Sequence, residues 1–356
     1  MFRRIALFLL AVLLISSVAV MAQDGPTVGL GESDTLGSYL VGPEGMTLYS
    51  FTPDPVNTSV CYDRCAEAWP PLIVESADGL TAAEGIPGTL GTTERDDGTL
   101  QVTYNGIPLY YWFQDSEVGD TTGNRVGRNW WIVPPATVYG QVLPTVGTAL
   151  VGPTGMTVYE FDNDTADVSN CYDQCATNWP PVLVDSADDL VSGVNLPGTW
   201  NAITRTDTEQ LQVTYNGMPL YYWKDDKAVG DTLGDGVGEK WHVVAPETVA
   251  VSSNETLGDL LVSNNGGTLY TFSDDTAGVS NCKDQCLENW PAFTIGADDK
   301  LVAGANVSGE LGAIVLDNGE QMVTYNGMPL YYFKDDLEVG ETNGEGLGGK
   351  WTVAKP

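Results

Sequence analysis

One histidine, His242, serves a chain of 356 residues, and 15 lysines and arginines stand against 48 aspartates and glutamates. A Ser-His-Asp or Cys-His arrangement repeated along the chain is excluded by that single histidine. Nucleic-acid binding is excluded as well, because a formal charge of -33 leaves no basic stripe to track phosphates. Gly119-Asp120-Thr121 and Gly230-Asp231-Thr232 lack the lysine that a phosphate-cradling loop needs, and glycine-rich stretches such as Gly123 to Gly127 and Gly344 to Gly349 read as surface loops. No stretch follows the twelve-residue EF-hand ligand pattern. Asp162-Asn163-Asp164 and the pairs Asp225-Asp226, Asp274-Asp275 and Asp335-Asp336 nevertheless hold calcium open as an alternative to no cofactor. Carboxylate pairs say little about glycoside hydrolysis in so acidic a chain. The reading that remains is not an enzyme.

Long hydrophobic runs are also scarce, and the one that exists lies at the start. Arg3 and Arg4 precede an apolar stretch from Ile5 to Val20, with Val20 and Ala22 as the small residues of a cleavage site before Gln23. This pattern reads as a secretory signal peptide over residues 1–22, too short to span a bilayer comfortably. Its removal leaves about 13 basic against 48 acidic side chains, a product that an anionic membrane surface repels. A secreted or cell-envelope location with no membrane span in the mature form follows.

What the chain does have is repetition. Cys61 to Cys65 before Trp69-Pro70-Pro71 recurs as Cys171 to Cys175 before Trp179-Pro180-Pro181, and as Cys282 to Cys286 before Trp290-Pro291-Ala292. A finer frame is anchored on Tyr49, Tyr110, Tyr159, Tyr221, Tyr270 and Tyr331. Each tyrosine has a glycine four residues before it, an aromatic two after it and an aspartate five after it: Asp54, Asp115, Asp164, Asp226, Asp275 and Asp336. A tryptophan follows each aspartate at a spacing of 15. The tyrosine steps run 61, 49, 62, 49 and 61, so the structural unit is a pair of half-repeats.

Each half-repeat reads as a β-hairpin, turning at Pro43-Glu44-Gly45 in one half and at Asn105-Gly106 in the next. Tyr49 and Phe51 share one strand face, and the opposite slot holds Ser50, Glu160 or Thr271, which marks that face as wet. In the second halves that slot holds Tyr111, Tyr222 or Tyr332, either buried in a two-sided strand or forming an exposed aromatic row of the kind that marks binding surfaces. Each strand-end aspartate is expected to accept hydrogen bonds from the backbone amides of the next turn. The recurrent tryptophans read as core anchors.

Ser169-Asn170 before Cys171-Tyr-Asp-Gln-Cys175 reads as a short capped helix stopped by proline. Cysteines at i and i+4 lie about 6 Å apart by Cα, within disulfide range. An even count in an exported chain points to three local disulfides, Cys61–Cys65, Cys171–Cys175 and Cys282–Cys286, each contributing about 2 kcal/mol. A dithiol redox role stays open beside them. Zinc is disfavoured because a second histidine is missing.

The six copies of Tyr-x-(Phe/Trp/Tyr)-x-x-Asp, from Tyr49-Ser-Phe51-Thr-Pro-Asp54 and Tyr110-Tyr-Trp112-Phe-Gln-Asp115 onward, together with the Cys-x-x-x-Cys and Trp-Pro-Pro elements, resemble a bacterial secreted-repeat, or predicted lipoprotein, family whose function is undefined. That resemblance covers nearly all of the expected mature chain. Its members often look like one two-motif unit on a lipid anchor, whereas this chain resembles three such units without the lipidated cysteine. Some relatives lie beside envelope redox proteins, which implies an electron-transfer setting.

The resulting expectation is a mainly β protein of three tandem small domains, each a pseudo-twofold pair of hairpins with one short disulfide-locked helix. A single six-bladed propeller is the alternative. The expected division is 1–22 signal peptide, 23–33 N-terminal linker, then domains at 34–138, 144–245 and 254–356, joined by short proline-marked linkers. The expected role is a structural or binding module acting on an envelope or extracellular protein or a glycan. Candidate binding residues are Tyr111, Tyr222 and Tyr332 with Asp115, Asp226 and Asp336. An accessory role in envelope redox or metal handling is the alternative.

Overall fold

The computed structural model describes residues 26–194 and 196–356, so the signal-peptide reading lies outside the described residues. The protein is mainly β and is built as three copies of one small unit. In the first, the strands are β1 (Gly29–Ser33), β2 (Gly37–Val41), β3 (Tyr49–Phe51), β4 (Ile73–Val74), β5 (Leu90–Glu94), β6 (Leu100–Tyr104), β7 (Ile107–Pro108) and β8 (Trp130–Ile132), with helix α1 (Arg64–Ala68) after β3. β1 pairs with β2, β3 with β8, and β6 stands between β4 and β5 with β7 also on it, all antiparallel. The second unit repeats this order from β9 (Tyr139–Leu143) and β10 (Gly147–Val151) to Trp241–Val243, and the third from Val249–Asn254 to Trp351–Val353.

The Asn105-Gly106 hairpin forms as expected: both residues have positive φ, 52° and 82°, the backbone of a tight two-residue turn. The earlier hairpin does not persist. After one bridge, Val41 to Thr47, the chain leaves its sequence neighbour, and β3 pairs with β8 from the other half of the unit. Tyr49 and Tyr110 exchange both backbone hydrogen bonds at the centre, N to O 2.8 and 3.0 Å, and the pairs Tyr159–Tyr221 and Tyr270–Tyr331 do the same. A half-repeat therefore cannot be closed on itself as a blade, and the propeller alternative is excluded.

Three local readings are corrected. Segments taken as linkers carry the opening strands: β1 lies within 23–33, and β9 hydrogen-bonds along β10 with Tyr139, Gln141 and Leu143 buried. Flanking glycines and prolines obscured that period-two pattern. Helix α2 (Gln174–Asn178) starts after Asp173, with no side-chain cap; Ser169 and Asn170 are engaged elsewhere. The slot of Ser50, Glu160 and Thr271 is half-buried rather than wet, because each lies opposite a residue of the closing strand, Trp131, His242 or Thr352.

The units also touch one another. Val56 N donates to Val142 O at 3.0 Å and Gln141 Nε2 to Asn105 O at 3.1 Å between the first and second. One apolar cluster runs through that seam, including Val56, Tyr104, Tyr139 and Leu143. Thr148 N donates to Asp299 Oδ1 at 2.7 Å between the second and third, and Arg128 of the first reaches the third.

Candidate functional site

The repeated motif is a crossed pair of tyrosine–aspartate bonds. Tyr49 Oη donates to Asp115 Oδ2 and Tyr110 Oη to Asp54 Oδ2, both at 2.6 Å, so each half supplies the partner of the other. Tyr159 reaches Asp226, Tyr221 reaches Asp164, Tyr270 reaches Asp336 and Tyr331 reaches Asp275 at 2.6 to 2.8 Å. The second oxygen of each aspartate accepts a backbone amide six or seven residues on: Val60, Thr122, Asn170, Leu233, Asn281 or Asn343. The expected backbone bonds are present. Sequence reasoning missed the crossing, for which the constant spacing from tyrosine to its own aspartate offers no signal.

Burial dominates the chemistry of these pairs. Desolvation pushes the Asp54 carboxyl up to about 7, against the lowering effect of the Tyr110 hydroxyl, the Val60 amide and the Arg95 charge. Asp164, Asp226, Asp275 and Asp336 are raised for the same first cause. The six tyrosines are raised too, by burial and their carboxylate partners.

Around each crossed pair lies a column of four aromatic rings. Phe51, Trp130, Trp69 and Trp112 stack in that order with centroids 4.3, 3.9 and 4.0 Å apart. Phe161, Trp241, Trp179 and Trp223 form the second column, and Phe272, Trp351, Trp290 and Phe333 the third. Gly123 is obligatory here, since a Cβ would lie 2.9 Å from both Trp112 and Trp69. The three disulfides are formed, each with a Cα separation of 5.2 Å. Each ties a buried cysteine before the helix to one in its first turn, so the bond fastens the entry to the helix beneath the tryptophan column.

The candidate binding residues are brought together within units and not between them. Tyr111 and Tyr222 are half-buried, with their rings over Gly42 and Gly152, while Tyr332 is only 8% exposed and lies against Gly267. Among the described residues, none of these three tyrosines stacks on an aromatic ring of another unit; Tyr332 meets Phe293 of its own. Asp115, Asp226 and Asp336 have both oxygens engaged as above, so they stand beside the tyrosines as structural groups. Asp115 and Tyr111 line one depression of about 220 Å³ with Glu44, Met46, Thr47 and Trp112.

The acidic runs separate in space: Asp164 turns inward to Tyr221, while Asp162 lies 3.3 Å from the half-exposed His242. Among the described residues, no three His, Cys, Asp or Glu side chains converge as a ligand set, and no helix is long and apolar enough to cross a membrane.

Comparison with curated proteins and with solved structures returned no match. A family model matches six times, over residues 33–73, 91–134, 140–183, 201–245, 251–294 and 312–355, one match for each half-repeat. The six crossed motifs and these six matches coincide, and the chain belongs to the family described as a secreted repeat of unknown function.

Proposed function

We propose that the protein is a non-catalytic module of the extracellular space or cell envelope, which presents three variants of one rigid surface to a macromolecular partner. The observation that carries this reading is the use made of the motif. Its six tyrosines and six aspartates satisfy one another inside the units, so the recurrent polar residues maintain the fold. Binding then falls to the groups that these bonds leave free, and three linked surfaces favour avidity over single-site chemistry.

Cross-linking of the secreted chain on its producing cells tests the proposal. A specific protein partner is expected, whose purified form binds the chain saturably. Turnover of a substrate by the purified chain would overturn the reading. Saturable quenching of tryptophan fluorescence by a glycan, with no protein partner, would replace the protein by a carbohydrate.

A further inference from the structure

Unit 3 holds a cation at the position of the candidate tyrosine. Arg128, from the loop before β8 of unit 1, places its guanidinium carbon 4.7 Å from the centre of the Tyr332 ring. Its Nη2 donates to Phe333 O at 2.8 Å and to Asp336 O, and Asn265 Nδ2 approaches Arg128 O at 3.4 Å. The guanidinium is thus gripped by an aromatic face and two carbonyls, while the turn residue Asn265 holds the Arg128 backbone. The counterpart of Arg128 is Glu239 in unit 2 and Gly349 in unit 3, so only unit 1 extends an arginine.

The same elements in unit 1 are Tyr111, Trp112 and Asp115, which line the 220 Å³ depression. Trp112 O accepts the Asp115 amide at 3.1 Å, as Phe333 O accepts that of Asp336 at 3.2 Å, so the backbone has the form that receives Arg128 in unit 3. One difference favours a cation further. Where unit 3 has Asn265, unit 1 has the exposed Glu44, close enough that its charge adds to burial in raising the Tyr111 hydroxyl to about 12. Lining residues of both aromatic and acidic character, on a chain of charge -33, match a planar delocalised cation better than a neutral ligand.

We propose that the depression bounded by Glu44, Tyr111, Trp112 and Asp115 binds the guanidinium of an arginine presented by a partner protein, in the manner in which unit 3 holds Arg128. This rests on the binding-module reading and names the chemistry of its partner.

The test titrates the full secreted chain at low salt with acetyl-Gly-Arg-Gly-amide, alongside its lysine and citrulline counterparts, by calorimetry and tryptophan fluorescence. Saturable binding of the arginine peptide is expected, at least tenfold tighter than citrulline and tighter than lysine. Glu44→Gln, a surface change that leaves the core intact, should weaken it at least threefold, and Tyr111→Leu at least tenfold. Arg128→Ala should open the unit 3 site and add one binding site per chain. Equal binding of arginine and citrulline, or affinity unchanged by Glu44→Gln and Tyr111→Leu in folded variants, overturns the proposal. If the arginine peptide does not bind while a purified partner still does, this site alone falls; if neither binds, the binding-module reading falls with it.

Discussion

Units 1 and 2 differ from unit 3 at the centre of the disulfide-bearing half. In unit 1, Arg95 is 5% exposed and donates to Ser59 Oγ at 2.8 Å, Gln101 Oε1 at 2.7 Å and Cys61 O at 2.7 Å, with Tyr62 across its face at 4.5 Å. Gln101 passes the chain on to Leu109 O. Arg205, Ser169, Gln212, Cys171 and Tyr172 repeat the arrangement in unit 2, with Asp207 pairing the arginine at the surface. Unit 3 has Leu316, Met322 and Lys283 in the places of arginine, glutamine and tyrosine. The leucine and methionine pack in its core, the lysine pairs with Asp317 at 3.2 Å, and Ser280 turns to Cys282 O. The fold is the same. A satisfied buried polar network and an apolar plug are interchangeable when every member changes together, because the cost lies in groups left without partners.

The largest test breaks this concert. Arg95→Leu alone leaves Gln101 Oε1 and Cys61 O without their donor, while Ser59 keeps the Tyr110 hydroxyl, and should cost about 3 kcal/mol in urea unfolding. The triple change Tyr62→Lys, Arg95→Leu, Gln101→Met should return to within about 1 kcal/mol of the parent, with Asp96 standing where Asp317 meets Lys283. A triple variant as unstable as the single one would break the equivalence of the two solutions.

A second test uses acidity. The folded carboxyl of Asp54 lies near 7, above its unfolded value of about 4. Between those values the native state holds a proton that the unfolded state has released, so the contribution of Asp54 is fully present below about 4 and is lost as pH rises through about 7. Asp54→Asn should flatten the pH dependence of thermal unfolding in that window. The Arg95 charge opposes the rise at Asp54, as Arg205 does at Asp164, whereas beside Asp275 the arginine's place is taken by Leu316. Arg95→Leu should therefore extend the window upward, which native-state titration by NMR would show.

The smallest effect concerns a feature that all three units share. Asp63, Asp173 and Asp284 precede the helices with φ near 50° and ψ near -120°, at the second position of turns that glycine ordinarily fills. Replacing any one by glycine should raise stability by about 1 kcal/mol, equally in each unit, as judged by the denaturation midpoint. Unequal gains would mean that the units do not share this strain.

Much of the unit was legible because its signals are local. The Asn105-Gly106 turn, the cysteine pairs and the sixfold tyrosine frame depend on spacing along the chain, and spacing is what a sequence displays. The partners of Tyr49 were not legible. Its nearest aspartate in sequence is Asp54, yet the hydroxyl takes Asp115, because β3 runs antiparallel to the other half and carries each tyrosine across to the far turn. Tyr332 and Tyr111 occupy the same slot in sequence, yet Arg128 arrives from another unit to cover the one ring while the other lines a depression.

The sequence by itself determined that the unit is a pair of half-repeats, that the pair occurs three times, that each copy has one local cysteine pair, and that the chain is strongly acidic. These follow from composition and from intervals that repeat along the chain. Tertiary structure alone decided that the halves exchange strands and hydrogen bonds, that the supposed linkers open each sheet, and that unit 1 lends an arginine to unit 3. Those contacts join residues with no fixed relation along the chain, and they form only where packing can bury the tyrosine–aspartate pairs and satisfy every polar group it covers.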